Sequence, residues 1–124
     1  MQEHTKIQKL YETLIDKVFE IEKKVEQLKE PHSISRNINR LKEIFENINS
    51  YISNTESGGY TYHNPIGEYF SDTRTDCEAS IAGQHTESLV ITEVIKPIIH
   101  FRKGGINMIV RKGVVIAESK VPKQ

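Results

Sequence analysis

The sequence predicts an α+β protein: a long N-terminal helix and a second helix that form an oligomeric coiled coil or helix bundle, followed by a small antiparallel β domain. Three observations carry that expectation. Ile7, Leu14, Ile21 and Leu28 recur every seven residues, with Tyr11, Val18 and Val25 interleaved in the alternate seam positions. The spacing resumes after Pro31 through Ile34, Ile38, Leu41, Phe45, Ile48 and Ile52. From Tyr60 onward the hydrophobic period shortens to two. A seam this narrow cannot bury itself on a lone helix, so it calls for a partner.

Residues 3–30 read as one helix, because neither Gly nor Pro interrupts them and strong helix formers dominate. At 1.5 Å per residue, roughly 28 residues make a rod of about 42 Å. Leu10, Ile15 and Phe19 lie beside the strict seam and widen the apolar face, which suits three or four helices better than a two-stranded zipper. Lys17 and Glu22 occupy flanking positions suited to pairing between helices. Pro31 ends the rod, and Ser33 is placed to cap a second helix over 34–53. Asn37, Asn39, Asn47 and Asn49 weaken that helix and make it dependent on tertiary packing. At Pro31 the helices either fold back or continue with a kink. The expected oligomer interface is Ile7, Tyr11, Leu14, Val18, Ile21, Val25 and Leu28 on the first helix, with Ile38, Leu41, Phe45 and Ile48 on the second.

Residues 1–54 thus form a helical oligomerisation region. The polar break from Asn54 to Gly59 supplies a linker over 55–59. The β domain spans 60–118, and 119–124 form a flexible tail. Tyr60 and Tyr62 alternate before a turn at Asn64-Pro65. Residues 89–95 form the clearest strand, and Pro97 then limits pairing because it has no N–H to donate. Ile98–Arg102 and Ile106–Arg111 flank Lys103-Gly104-Gly105, a hairpin signal, and Val114–Ala117 closes the domain. Four to six short strands result.

The 124 residues allow one ordinary domain, or a helical segment plus one small domain. A 36% hydrophobic content is low for a self-contained globule, and oligomerisation remedies such a core. A net charge of zero gives no general pull towards nucleic acid or membrane. No apolar run is long enough to span a bilayer, the polar N-terminus does not read as a signal peptide, and the lone Cys77 cannot form an internal disulfide. Together these favour a cytoplasmic protein. The zero also hides a separation: residues 55–95 hold seven acidic side chains against Arg74, whereas residues 96–124 hold seven basic ones against Glu118. Neighbouring strands that attract one another would explain it. The functional alternative is a basic wall of Lys96, Arg102, Lys103, Arg111 and Lys112 facing an acidic partner.

Four chemical constellations compete with simpler readings. Asp72, Asp76, Glu78 and His85 could ligate a cation, but the glycine and ligand spacing of a calcium loop are missing, and a solvated acidic loop suffices. Cys77 with His63, His85 or His100 could pair a nucleophile with a base, yet no catalytic signature surrounds it and a structural thiol suffices. Gly104-Gly105 and Gly113 follow basic residues without the Walker or dinucleotide pattern, and read as turn glycines. Tyr60, Tyr62, Tyr69, Phe70 and Phe101 among basic residues could stack single-stranded bases, but no nucleic-acid module accompanies them. No catalytic residue, metal or cofactor is expected.

The order of parts and several short motifs resemble the GrpE family, the nucleotide exchange factors of DnaK-type chaperones. Gly59-Tyr60-Thr61-Tyr62 followed by Tyr69-Phe70-Ser71-Asp72 resembles the opening of that family's β domain. Ile91-Thr92-Glu93-Val94 matches its Val-x-Glu-Val strand, and Val110-Arg111-Lys112-Gly113-Val114-Val115-Ile116 looks like its closing strand. The resemblance implies a homodimer whose β domains act as binding heads on the nucleotide-binding domain of a DnaK-type ATPase and promote ADP release. The partner-binding residues expected on the basic hairpin are Arg102, Lys103, Met108 and Arg111, with Tyr62 and Phe70 as structural anchors. The alternative is a coiled-coil adaptor whose β head serves another partner without exchange activity.

Overall fold

In a computed structural model, residues 2–30, 32–53 and 57–120 are described, so Met1, Pro31, Asn54 with the first two residues of the expected linker (55–56), and the tail residues 121–124 lie outside the described residues. The architecture is α+β. Among the described residues, three helices, α1 (Gln2–Val25), α2 (His32–Glu46) and α3 (Ile48–Ile52), precede seven strands. These are β1 (Gly59–His63), β2 (Tyr69–Phe70), β3 (Cys77–Ala82), β4 (Leu89–Lys96), β5 (Ile98–Lys103), β6 (Ile106–Arg111) and β7 (Gly113–Ser119).

The chain divides into two compact units. One holds the helices with residues 57–61 and 100–108, and the other holds 62–99 and 109–120.

In the first unit the helices fold back. Lys42 pairs with Glu22; at a rise of 1.5 Å per residue, Lys42 could not reach Glu22 if α2 continued α1 as a kinked rod. α1 ends at Val25, five residues before the expected Glu30, and residues 26–29 form turns in which the Leu28 amide donates to the Val25 carbonyl at 3.0 Å. The second helix also differs from expectation. It begins at His32, so Ser33 sits inside it and is not its cap. It breaks at Asn47, whose side-chain Nδ2 donates to the Glu43 carbonyl at 3.1 Å, a local bond that competes with the helical ladder. The Asn-rich composition located the weak helix but not the point where it breaks.

Tyr11, Ile15, Val18, Phe19 and Val25 on α1, with Ile38 and Phe45 on α2, are buried. Tyr60, at the start of β1, lies between Tyr11 and Phe101 of β5, with ring centroids 5.3 Å from each. Residues 57–59 are fastened to the helices and do not form a loose link. The Asn49 amide donates to the Gly58 carbonyl and Asn49 Nδ2 to the Ser57 carbonyl, both at 3.1 Å. Gly59 packs so closely on the carbonyl groups of Phe45 and Glu46 that a Cβ there would overlap them.

The strands form two sheets, β1-β5-β6 and β2-β4-β7-β3. The expectation of a purely antiparallel domain is corrected here: β4 and β7 pair antiparallel, but β3 runs parallel to β7, with Cys77 beside Gly113 and Ser80 beside Ile116. Two register shifts interrupt the β4–β7 ladder, between Ile91 and Glu93 and between Val94 and Lys96. The first resets the alternation, so Ile91 and Val94 are both buried although three residues apart, while Thr92 and Glu93 stay outside. With Leu89, Val90, Ile98, Ile99, Val115 and Ala117 they make the core of the second unit. The end of β7 is tied down, not frayed: Ser119 Oγ donates to the Glu87 carbonyl at 2.5 Å and the Lys120 amide to the Ser88 carbonyl at 3.0 Å.

Candidate functional site

The helical seam separates into two faces of opposite fate. Its interleaved members Tyr11, Val18 and Val25 are buried within the chain, as are Ile38 and Phe45, so these five expected interface residues serve the protein's own core. Ile7, Leu14, Ile21, Leu28 and Leu41 stay exposed, and Ile48 is half-buried. Leu10 and Ile34, which lie beside or within the seam, are exposed as well.

At 100° per residue, Ile7, Leu10, Leu14 and Ile21 fall on one flank of the buried α1 face, and Ile34 and Leu41 fall on the same-sense flank of the α2 face. Like flanks meet on one side of an antiparallel helix pair, so the six residues line one strip of the hairpin. Each is between 39% and 55% exposed. With about 180 Å² for a fully exposed Leu or Ile residue, most of it side chain, the strip presents on the order of 500 Å² of largely apolar surface. A stable interface covers about 800 Å² per partner, somewhat over half of it apolar, which is the same amount.

The expected partner-binding residues gather on the β5–β6 hairpin. Arg102 and Lys103 end β5, Gly104 turns the chain with a φ of 59°, and Met108 sits on β6. Arg102, Lys103 and Met108 are exposed. Arg111 is half-buried, and its Nη2 donates to the Pro97 carbonyl at 2.8 Å, so it helps to fasten the end of β6. From Lys96 to Lys112 the chain carries five basic side chains and no acidic one.

A charged cluster in the second unit was not anticipated. Arg74 Nη2 donates to Glu68 Oε1 at 2.7 Å, its Nε donates to Asp76 Oδ1 at 2.5 Å, and its Nη1 donates to the Tyr69 carbonyl at 2.9 Å. Glu68 also pairs with His63. Burial works against ionisation of both carboxyls, but hydrogen bonds from Arg74, and from His63 to Glu68, outweigh it and hold both below their ordinary range. Asp76 in turn holds the Arg74 guanidinium more firmly protonated, against the effect of burial. The available signal was that Arg74 is the sole cation among the seven acidic residues of 55–95.

Asp76 is engaged by Arg74, and among the described residues no group of three or more His, Cys, Asp or Glu side chains is placed to hold a metal ion. Burial, with the neighbouring Asp76 charge, pushes the Cys77 thiol up to about 11, and a thiol so reluctant to ionise is a poor nucleophile at neutral pH. Gly113 is not a turn glycine: it is buried at the start of β7, where a Cβ would approach Ile98 Cγ1 to 2.9 Å. Tyr60 is enclosed by rings of its own chain and presents no free face to a base. Tyr69 is open to solvent, and Tyr62 and Phe70 are half-buried. No described helix is long and apolar enough to cross a membrane. No protein-family model, curated protein or solved structure matches the chain.

Proposed function

We propose that the protein is a homodimeric interaction module. Two copies associate through the exposed strip of the helical hairpin, and each offers its basic β5–β6 hairpin to an acidic partner. The partner we propose is the nucleotide-binding domain of a DnaK-type ATPase, in keeping with the GrpE resemblance of the sequence. On this reading no residue of the chain does chemistry. The head binds the open, nucleotide-free form of the ATPase more tightly than the closed form and so speeds ADP release, since only differential affinity can shift that equilibrium.

The observation that carries the reading is the division of the seam. A heptad-spaced set of large apolar side chains is left over after the chain has built its own hairpin core, and its area matches what an interface of ordinary size needs. The test is the rate at which a fluorescent ADP analogue leaves a DnaK-type ATPase of the host. Acceleration by the protein, lost in an Arg102→Glu, Lys103→Glu double variant, supports exchange. An unchanged rate with every such ATPase of the host refutes it.

The second reading is an adaptor that dimerises in the same way but has no exchange activity. The outer position of β6 in its sheet favours it, because an open strand edge is a general means of holding a protein segment. Recovery of a DnaK-type ATPase in a pull-down, lost on adding ATP, separates the first reading from the second.

A further inference from the structure

β6 is the outer strand of the β1-β5-β6 sheet, and among the described residues β5 is its one sheet neighbour. Its first four residues, Ile106, Asn107, Met108 and Ile109, are exposed. Successive side chains of a strand point to opposite faces, so both faces of this stretch stand open, with Ile106 and Met108 together on one of them. Proteins usually blunt such an edge with Pro, a bulge or an inward charge. The six residues of β6 contain no Pro, and three of the four exposed ones are large and apolar.

The charge around the strand selects what could cover it. Arg102 and Lys103 precede the turn, Lys112 follows the strand, and all three are exposed. Among the described residues, none of the three makes an ion pair within 4 Å. A second copy of this cationic strand and its flanks laid along the edge would set like charge against like, and opposed like charges destabilise a strand pair. A segment carrying carboxylates reverses that sign.

We propose that the β6 edge accepts an extended acidic segment of another protein as an added strand. Apolar side chains at alternate positions of the segment rest on Ile106 and Met108, and flanking carboxylates meet Arg102 and Lys103. Backbone hydrogen bonds to the edge give affinity, while the charge gives direction and partner choice. The proposal deepens the binding-head reading but does not require the partner to be an ATPase.

The test uses the full chain and a fluorescein-labelled peptide of about ten residues alternating Val with Glu, followed by fluorescence anisotropy. Two matched peptides, N-methylated at every Val amide or at every Glu amide, keep every side chain, and whichever way the strand runs one of them loses the donors that face the edge. Saturable binding is expected, weakened about tenfold or more by one of the two N-methylations through the loss of several hydrogen bonds. The Arg102→Glu, Lys103→Glu variant should lose a similar factor, and peptide should slow amide exchange at 106–109. Equal binding of both methylated peptides, unchanged binding by the double variant, or no saturation at millimolar peptide overturns strand addition. Peptide binding without any effect on ADP release counts against exchange alone, whereas exchange without peptide binding counts against strand addition alone.

Discussion

Leu14 and Ile15 are adjacent in sequence, yet the hairpin gives them opposite duties, and truncating each to Ala separates assembly from folding. Leu14 is 43% exposed on the apolar strip, and Ile15 is 1% exposed in the hairpin core. The exposed part of Leu14 is on the order of 80 Å², worth about 2 kcal/mol at roughly 25 cal/mol per Å² if a partner covers it. A twofold interface uses the residue once from each copy and Ala keeps part of the covered area, so Leu14→Ala should weaken the dimer by about 3 kcal/mol, or on the order of a hundredfold in dissociation constant. The folded monomer should be almost unaffected, because the lost contacts lie outside it. Ile15→Ala should instead remove about 3 kcal/mol from the stability of the chain itself by leaving a cavity. Sedimentation equilibrium over a wide concentration range reads the first effect, and urea unfolding followed by circular dichroism reads the second. A wild type that stays monomeric at high micromolar concentration, or a Leu14→Ala dimer within tenfold of wild type, would refute the assignment of the strip.

Other perturbations test the remaining parts. Gly59→Ala should cost about 3 kcal/mol in urea unfolding, since its Cβ would meet the carbonyl groups of Phe45 and Glu46, which cannot easily move away. Arg74→Ala should destabilise the protein by about 2 kcal/mol at neutral pH by leaving Glu68 and Asp76 without their cation. Both carboxyls titrate below their ordinary values of 4.5 and 3.8 when folded, so their contribution is present above those values and fades as pH falls through the folded ones. Stability measured at pH 7 and at pH 3 should therefore differ more in the wild type than in Arg74→Ala, and equal pH slopes would contradict the linkage. Cys77 should react slowly with a thiol reagent at pH 8 in the native protein and rapidly in urea, and fast native labelling would show its burial to be wrong.

The helices were legible in the sequence because the seven-residue seam is a local periodic signal. The duties of its members were not, because α2 covers one flank of α1 and leaves the other bare, and that depends on α2 folding back along α1. The β5–β6 hairpin was legible from Lys103-Gly104-Gly105 between two apolar runs. The parallel pairing of β3 with β7 was not, since it joins Cys77 to Gly113 across a long stretch of chain with no turn to announce it. The register shift after Ile91 likewise arises from the β7 ladder and leaves no local trace in Leu89–Lys96. Of the two surfaces argued to act, the basic hairpin was visible as charge. The apolar strip was visible only as part of a broader stripe whose other half became core.

The ring contacts of Tyr60 set a limit on how the chain can be divided. The polar stretch before Gly59 looks like the natural place to cut, but a fragment ending at residue 54 would lose Tyr60 and Phe101 and uncover Tyr11. Residues 100–108 return to the helical unit after the chain has built most of the other one. An isolated hairpin would consequently display a new sticky face, and its self-association would report the wound and not the native interface. Fragments meant to report native pairing need to carry the strand segments 57–61 and 100–108 joined by a short artificial loop.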